Sequence, residues 1–300
     1  MADGKTVIAK VKRAEKYAMS INGKVQFWFD DVLREVVGPK EQVIVYAGRR
    51  GDSWHMVVNE ELSQKFDSIA KPVILSGGRV LYVGNLGGER ADYGDGYSAG
   101  EGFTNHLVTR NSIGSPISTG GRIQASPNGQ RAFLEFQREG GPELTEEIGA
   151  DFALSKPLPS SYAVFDRDNH LVMVHETREW TRLVTDNVTG PAFDDLYIVS
   201  NDTSHPLLCS VTEKGKTAYM LGDMITPAFD ELEDYSLSPD GESITCRGSN
   251  GQGWHLIINE WTGPVFDQVF NPTFSEDGHW VLYAARSGDQ LYALRTAVPE

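Results

Sequence analysis

The stretch of sequence that decides the fold lies near the C-terminus. Residues 254–260 read Trp-His-Leu-Ile-Ile-Asn-Glu, residues 263–267 read Gly-Pro-Val-Phe-Asp, residues 275–278 read Ser-Glu-Asp-Gly, and residues 280–285 form an apolar run. Similar phrases recur along the chain at a period of about 37 residues. Because they consist of turn residues and alternating apolar residues, they report folding more than function.

Phe-Asp pairs mark the repeat most clearly. They occur at Phe29-Asp30, Phe66-Asp67, Phe193-Asp194, Phe229-Asp230 and Phe266-Asp267. Successive pairs lie 37, 36 and 37 residues apart, and the longer gap between residues 66 and 193 leaves room for two degenerate copies near Ser115-Pro116 and Asp151-Phe152. Seven units then cover the chain, which predicts an all-β protein built as a radial array of small sheets.

Each unit is predicted to contain four antiparallel strands. In the C-terminal copies, residues 269–275 would be the first strand, the run after Gly278 the second, and a segment such as 254–258 the third, with alternate side chains on opposite faces. A short fourth strand would end at Phe-Asp. The predicted first strands lie near Val32, Ile69, Ile123, Tyr162, Leu196, Tyr235 and Val269.

Turn chemistry supports this division. Residues 238–241 read Ser-Pro-Asp-Gly and residues 126–129 read Ser-Pro-Asn-Gly, both between a predicted first and second strand. Proline presets φ at the second turn position, and glycine enters the left-handed region at low cost. These segments are predicted hairpin turns.

The phrases at residues 235–241 and 254–267 resemble the WD-like propeller repeat of TolB-type proteins and of the propeller domains in prolyl-oligopeptidase-type enzymes. The resemblance implies a β-propeller over nearly the whole chain. The count of seven units predicts seven blades, with six or eight as the alternatives. It carries over no catalytic residue, because its motifs are structural.

The terminal segments predict how the ring closes. Residues 6–12 and 17–23 resemble second and third strands, and residues 290–294 resemble another third strand. We therefore expect N-terminal outer strands to complete the blade whose inner strands come from the C-terminus, which removes open sheet edges. The prediction is one domain over residues 1–300.

Composition narrows the range of partners. The chain has 27 basic and 42 acidic side chains, a net charge of −15, which disfavours nucleic acid and anionic membranes and favours a basic protein partner. No segment is predicted to span a membrane, and no secretory signal is apparent. The cysteines, Cys209 and Cys246, lie in apolar segments and are predicted to be buried thiols, which together indicate a cytoplasmic protein.

The repeat is interrupted most strongly by a Gly/Tyr-rich insertion at about residues 85–104. Tyrosine buries a large area at low entropy cost, so Tyr93, Tyr97 and Phe103 are the predicted partner-binding residues. The alternative is a long loop with no specific role.

Two catalytic or metal-binding patterns occur within this insertion. Gly96-Tyr-Ser98-Ala-Gly100 matches the nucleophile elbow of α/β-hydrolases, but the flanking residues predict neither the strand nor the helix that the elbow requires. Asp92, Asp95 and Glu101 supply oxygen ligands, but glycines stand where a calcium loop has further carboxylates. Neither serine hydrolysis nor calcium binding is predicted.

The recurring polar residues favour structural roles. His55, His106 and His255 share one repeat position, and His170 and His175 would lie on opposite faces of a strand, which disfavours a metal pair. Each Phe of the Phe-Asp pairs is expected to pack between blades, and each Asp to accept N–H bonds in the turn that enters the next blade. No catalytic residue, metal ligand or cofactor is predicted.

Two classes of function remain. The first, which we favour, is a non-enzymatic protein-interaction module or accessory subunit that uses one face of the ring and the insertion. The alternative is a hydrolase-like or lactonase-like enzyme, or a small-molecule binder, that uses the mouth of the central channel.

Overall fold

The computed structural model describes residues 6–33, 36–38, 43–87, 104–109, 112–117, 122–137, 143–149 and 158–299. Apart from a 3-10 turn at Ser76–Gly78, every helix or strand in these ranges is a β-strand. The strands pair antiparallel in eight sheets, which we number 1 to 8 along the chain. The all-β class and the four-stranded antiparallel repeat are thus confirmed. No helix able to cross a bilayer occurs within these ranges.

The chain divides into two compact units, Met1–Ser160 and Ser161–Glu300. The first unit holds sheets 1 to 4. Sheet 1 consists of β1 (Ile8–Arg13), β2 (Lys16–Ile21) and β3 (Lys24–Val25); sheet 2 of β4 (Asp31–Val32), β5 (Val36–Gly38), β6 (Val43–Arg50), β7 (Ser53–Val58) and β8 (Glu61–Leu62); sheet 3 of β9 (Ser68–Ile69), β10 (Val73–Leu75), β11 (Arg79–Leu86), β12 (Thr104–Thr109) and β13 (Ile113–Ile117); sheet 4 of β14 (Arg122–Ala125), β15 (Ala132–Gln137), β16 (Glu143–Ile148) and β17 (Leu158–Pro159).

The second unit holds sheets 5 to 8. Sheet 5 consists of β18 (Tyr162–Phe165), β19 (Leu171–Glu176), β20 (Thr181–Thr185) and β21 (Val188–Phe193); sheet 6 of β22 (Asp195–Ser200), β23 (Leu208–Glu213), β24 (Lys216–Leu221) and β25 (Met224–Ile225); sheet 7 of β26 (Glu231–Leu237), β27 (Ile244–Ser249), β28 (Trp254–Ile258) and β29 (Trp261–Phe266); sheet 8 of β30 (Gln268–Phe274), β31 (Trp280–Ser287) and β32 (Gln290–Ala297).

The first strands predicted from the sequence hold. Sheets 2 to 8 each begin at or near one of the seven predicted first strands, and in sheets 2 and 3 that strand is split into two segments that pair with the same neighbour. Residues 6–12, 17–23 and 290–294 coincide largely with β1, β2 and β32, as predicted. Sheets 1 and 8 each have three strands in the described part of the chain. The count of seven blades and the closure of the ring stay predictions.

The fourth strand reaches the Phe-Asp pair in sheets 5 and 7, whereas in sheets 1, 2 and 6 it ends four residues earlier and the Phe forms an isolated bridge to the preceding strand. The degenerate copy predicted near Asp151-Phe152 lies outside the described residues.

The turns between first and second strands have the predicted chemistry. Gly129, Gly241 and Gly278 have φ of 69°, 74° and 73°. In the turn at residues 238–241, the Ser238 hydroxyl donates to Asp240 Oδ1 at 2.5 Å, and the Gly241 N–H donates to the Ser238 carbonyl at 2.8 Å. Side chain and backbone therefore close the same hairpin.

The Phe-Asp pairs link consecutive sheets. A Cβ added to Gly48 would lie 2.5 Å from the Phe29 ring, and one added to Gly84 would lie 2.6 Å from the Phe66 ring. Both glycines lie on the second strand of the following sheet, so the ring lies directly on that strand's backbone. The predicted packing of Phe between sheets is confirmed at these positions.

The predicted partner of the Asp was wrong in one respect. Its carboxylate reaches the turn between the second and third strands of the following sheet, not the turn that enters it. Asp30, Asp67, Asp194 and Asp267 accept N–H bonds from Gly51, Gly87, Lys214 and Gly288 at 2.7, 2.6, 2.5 and 2.6 Å. The carboxylate thus bridges two sheets where the prediction placed a local turn bond.

Candidate functional site

The predicted partner-binding residues, Tyr93, Tyr97 and Phe103, lie outside the described residues, as do Ser98, Asp92, Asp95 and Glu101. The structure does describe where the insertion leaves the fold. It connects β11 to β12, the second and third strands of sheet 3, as predicted. At its base the buried Asn85 amide donates to Asn105 Oδ1 at 3.2 Å, so a polar pair lies between the two strand ends.

The recurring histidines have one shared role. Each of these histidines contacts, through Nδ1, a carbonyl oxygen on the adjacent fourth strand or directly after it. The pairs are His55 with Ser63, His106 with Gly114 and His255 with Gly263, at 3.1, 2.8 and 2.9 Å. One ring nitrogen of each is therefore used to hold the sheet together. This confirms the structural interpretation of the repeat position.

His170 and His175 do not share a strand, which corrects the geometry expected for them. His170 lies in the turn before β19, with Nδ1 3.0 Å from Asp166 Oδ2, whereas His175 lies on β19 with its ring centroid 5.3 Å from that of Trp180. Within the described ranges, no group of three or more His, Cys, Asp or Glu side chains could hold a metal ion.

Cys209 and Cys246 are buried free thiols, as predicted. Burial raises the pKa of Cys209 to about 12 and also raises that of Cys246. Both are therefore protonated at neutral pH, and neither has the thiolate character of a nucleophile or metal ligand.

The second unit carries a set of exposed aromatic residues. The first strand of each of its four sheets carries one: Tyr162, Tyr197, Tyr235 and Phe270, with exposed fractions of 37%, 57%, 41% and 37%. We call these the first-strand aromatics. Aromatic side chains are among the residues most enriched at protein interfaces.

Tyr235 is supported from beneath by a second tyrosine. The buried Tyr219 ring lies with its centroid 5.5 Å from that of Tyr235, and burial raises the pKa of Tyr219 to about 12. Tyr219 therefore remains a neutral phenol. It fixes Tyr235 as one ring of a packed pair instead of a freely rotating side chain.

One guanidinium and two carboxylates lie around the same strand. The Arg247 guanidinium lies 2.5 Å from Glu233 and 2.8 Å from Asp234, donates to the Val269 carbonyl at 2.9 Å, and lies 4.6 Å from the Trp254 ring centroid. These contacts tie β26, β27 and β30 together. The acids beside Tyr235 are thus structural.

A cavity of about 720 Å³ lies between sheets 5 and 6. Its floor is apolar and includes Leu183, Phe193, Leu196 and Met220. Its rim is formed by the turns that join β18 to β19, β20 to β21 and β24 to β25. We call it the acidic-rimmed cavity, because the rim carries Asp166, Asp168, Asp186 and Asp223 together with Arg167 and His170.

Sequence reasoning missed both the first-strand aromatics and the acidic-rimmed cavity. Tyr162 and Tyr235 were identified only as markers of first strands, and no signal of exposure accompanied them. Gly190-Pro191 on β21 gave no signal for the cavity, because the same pair recurs as Gly263-Pro264 on β29. The rim residues of the cavity come from turns far apart in the sequence and meet only in the fold.

No protein-family model matches this sequence, and no curated protein matches it. Solved structures do match. Puromycin hydrolase is 12% identical with a TM-score of 0.36, over 98% of this chain and 52% of that one, so this chain spans about half the length of that enzyme. The β-propeller domain of the Trilobed protease from Pyrococcus furiosus is 10% identical with a TM-score of 0.34, over 98% of both chains. The Dos1 propeller is 8% identical with a TM-score of 0.37, over 94% of this chain and 73% of that one.

Proposed function

We propose that this protein is a non-enzymatic module that binds another protein, with the first-strand aromatics as its main contact surface. The observation that carries the proposal is that four consecutive sheets each present a half-exposed Tyr or Phe from a rigid strand. Interface affinity is concentrated in few residues, and aromatic anchors prevail among them. The net charge of −15 favours a basic partner.

The recurring polar residues support this proposal. Histidines at one repeat position contact carbonyl groups, and aspartates of the Phe-Asp pairs accept backbone N–H bonds. Side chains used in this way are scaffold groups. Exposed side chains outside these scaffold contacts remain for recognition, and the first-strand aromatics are among them.

The insertion at residues 85–104 belongs to the proposal as a second contact. Tyr93, Tyr97 and Phe103 have the composition of a contact loop. The predicted seven-bladed ring, closed by joining N- and C-terminal strands, is the arrangement we propose for the scaffold. Removing residues 1–13 would then speed amide hydrogen exchange in β32, and unchanged exchange would refute this closure.

Capture of partners from a native lysate tests the function. Tyr197→Ser removes the most exposed of the first-strand aromatics, and Tyr292→Ser on β32 is the matched control, an exposed tyrosine on a third strand. We expect a partner that the wild type and the control retain and that Tyr197→Ser loses by roughly tenfold or more, since hot-spot tyrosines contribute about 2 kcal/mol. Equal retention by all three would refute the proposed surface.

A triple change of Tyr93, Tyr97 and Phe103 to Ser separates the two contacts. If the insertion contributes, the same partner is retained less by this variant. Retention at the wild-type level would remove the insertion from the proposal while leaving the first-strand aromatics in it.

A further inference from the structure

The acidic-rimmed cavity has the shape and chemistry of a receptor for a cationic side chain on an apolar stem. From its geometry we propose that it binds a lysine, flanked by apolar residues, of the protein partner. This inference rests on the proposed function and adds to it the chemistry of the partner.

The cavity is large enough for a ligand and lies between two sheets. About 720 Å³ is within the range of ligand-binding clefts. The register between β20 and β21 shifts between Arg182 and Val184, and β21 contributes Gly190 and Pro191 to the wall. The wall of the cavity thus includes an irregular strand pairing and a glycine, which has no side chain to fill the space.

The floor of the cavity is apolar. Phe193, Leu196 and Met220 belong to a buried apolar cluster, against which Leu183 and Leu207 pack. The cavity reaches this cluster from the surface. Such a floor suits the methylene stem of lysine and a neighbouring leucine or valine, because removing apolar surface from water is favourable.

The rim of the cavity is mostly acidic. It holds four carboxylates and a single permanent cation, Arg167. That guanidinium is already engaged, because its Nη1 lies 2.6 Å from Glu242 and its Nε lies 3.7 Å from Asp168. The field at the cavity mouth is therefore negative, and an ammonium group would be attracted to it.

The four carboxylates differ in availability. Asp166 Oδ1 accepts the N–H groups of Asp168 and His170 at 2.9 and 2.8 Å, and Asp186 Oδ1 accepts that of Leu171 at 3.0 Å. These two acids hold their turns in shape. Asp223 and Asp168 are exposed, and they are the groups we assign to the incoming cation. Asp168 would share its carboxylate between that cation and Arg167, whose Nε lies 3.7 Å away.

The test uses the full chain and two defined peptides, acetyl-Leu-Lys-Leu-amide and acetyl-Leu-Gln-Leu-amide. Methyl NMR follows Leu183, Val188 and Met220 in the cavity and the buried Leu256 of sheet 7 as a reference. We expect saturable shifts at the cavity methyls with the lysine peptide, and binding of the glutamine peptide weaker by roughly threefold to tenfold, the range for one or two exposed charge pairs.

Three variants locate the interaction. Asp168→Asn/Asp223→Asn should weaken lysine-peptide binding by roughly threefold to tenfold. Val188→Ser, at an exposed wall position, should weaken it by roughly threefold through lost apolar contact. Asp289→Asn, a matched change in the exposed turn between β31 and β32, should leave it unchanged. Thermal unfolding of each variant confirms that it is folded.

The inference is overturned if the cavity methyls show no saturable shift or if the two peptides bind equally well. It is also overturned if Asp289→Asn weakens binding as much as Asp168→Asn/Asp223→Asn does. Hexylamine binding as tight as that of the lysine peptide would overturn it too, because the cavity would then be a small-amine site. If the peptide test fails while Tyr197→Ser still loses the captured partner, the proposed function stands and only the cavity inference falls.

Discussion

In the second unit, the interface between sheets 6 and 7 and the interface between sheets 5 and 6 contain the same Phe-Asp motif but pack differently. We call each such interface a layer. Between sheets 6 and 7, the Phe229 ring lies on Gly248, where an added Cβ would be 2.7 Å from the ring. Between sheets 5 and 6, the corresponding position is Val211, since Leu196 pairs with Val211 as Leu232 pairs with Gly248. Phe193 lines the acidic-rimmed cavity in that layer.

The difference shows that the Phe-Asp motif fixes which strands meet but not how densely they pack. Glycine lets an aromatic ring lie on the backbone, whereas valine fills that space with its own side chain. A layer of the second kind can retain a cavity, and so can acquire a ligand, without losing the motif. Breaking each layer at matched positions tests this distinction.

The largest effect is expected for the phenylalanines themselves. Phe229→Ala should lower the free energy of unfolding by about 3–5 kcal/mol, because it empties a closely packed site. Phe193→Ala should cost less, below about 3 kcal/mol, since part of that ring already faces the cavity. Urea unfolding of both variants measures the difference, and equal losses would contradict the distinction between the layers.

The glycines should give the next largest effect. Gly248→Ala forces a methyl group against the Phe229 ring and Ile257 Cδ1, at 2.7 and 2.6 Å, and should destabilise the fold by about 1–3 kcal/mol.

Gly190→Ala is the comparison change in the cavity layer, at a glycine of the fourth strand β21 that lines the cavity. Its Cβ would meet only the Leu183 carbonyl oxygen within contact range, at 3.2 Å. The expected loss is below about 1 kcal/mol. A loss as large as that of Gly248→Ala, in the same urea measurement, would show that the cavity wall is as tightly packed as the neighbouring layer.

The aspartates of the motif should show the opposite order. Asp194→Ala, in the cavity layer, removes the acceptor of the Lys214 N–H and should cost about 1–2 kcal/mol. Asp230→Ala, in the tight layer, removes an exposed ion pair with Lys216 at 3.4 Å and should cost less than about 0.5 kcal/mol. Chemical denaturation of the two variants measures both losses of unfolding free energy. A larger loss for Asp230→Ala than for Asp194→Ala would contradict the assignment of the bridging hydrogen bond to Asp194.

The smallest expected effect is a change in acid sensitivity. The Ser238 hydroxyl lowers the pKa of Asp240, and the Ser275 hydroxyl lowers that of Asp277, from the ordinary 3.8. A lowered folded-state pKa adds stability that is present above the unfolded-state pKa and is lost as pH falls through the folded-state pKa.

Asp240→Asn and Asp277→Asn remove this titration while keeping an acceptor, as Asn128 does in the equivalent turn. The unfolding free energy of the variants should therefore fall less steeply than that of the wild type as the pH drops below about 4. Thermal unfolding across that range measures the slope, and an unchanged slope would mean that these turns do not contribute to acid sensitivity.

The sequence determined the strands, the four-strand unit and most of the turns, because these depend on local periodicity and on residues such as Gly241 whose conformational needs are local. It also determined that the recurring histidines are structural. Identical letters at one repeat position point to a shared backbone contact.

Only the tertiary structure decided where the Phe-Asp carboxylates go, which aromatics remain exposed, and where a cavity forms. Asp194 reaches Lys214 in the next sheet, and the rim of the cavity brings together Asp168 and Asp223 from two sheets. Such relations depend on packing between elements distant in sequence, which periodicity along the chain does not encode. The proposed site lies where packing departs from the repeat, and that departure is a property of the layers between sheets.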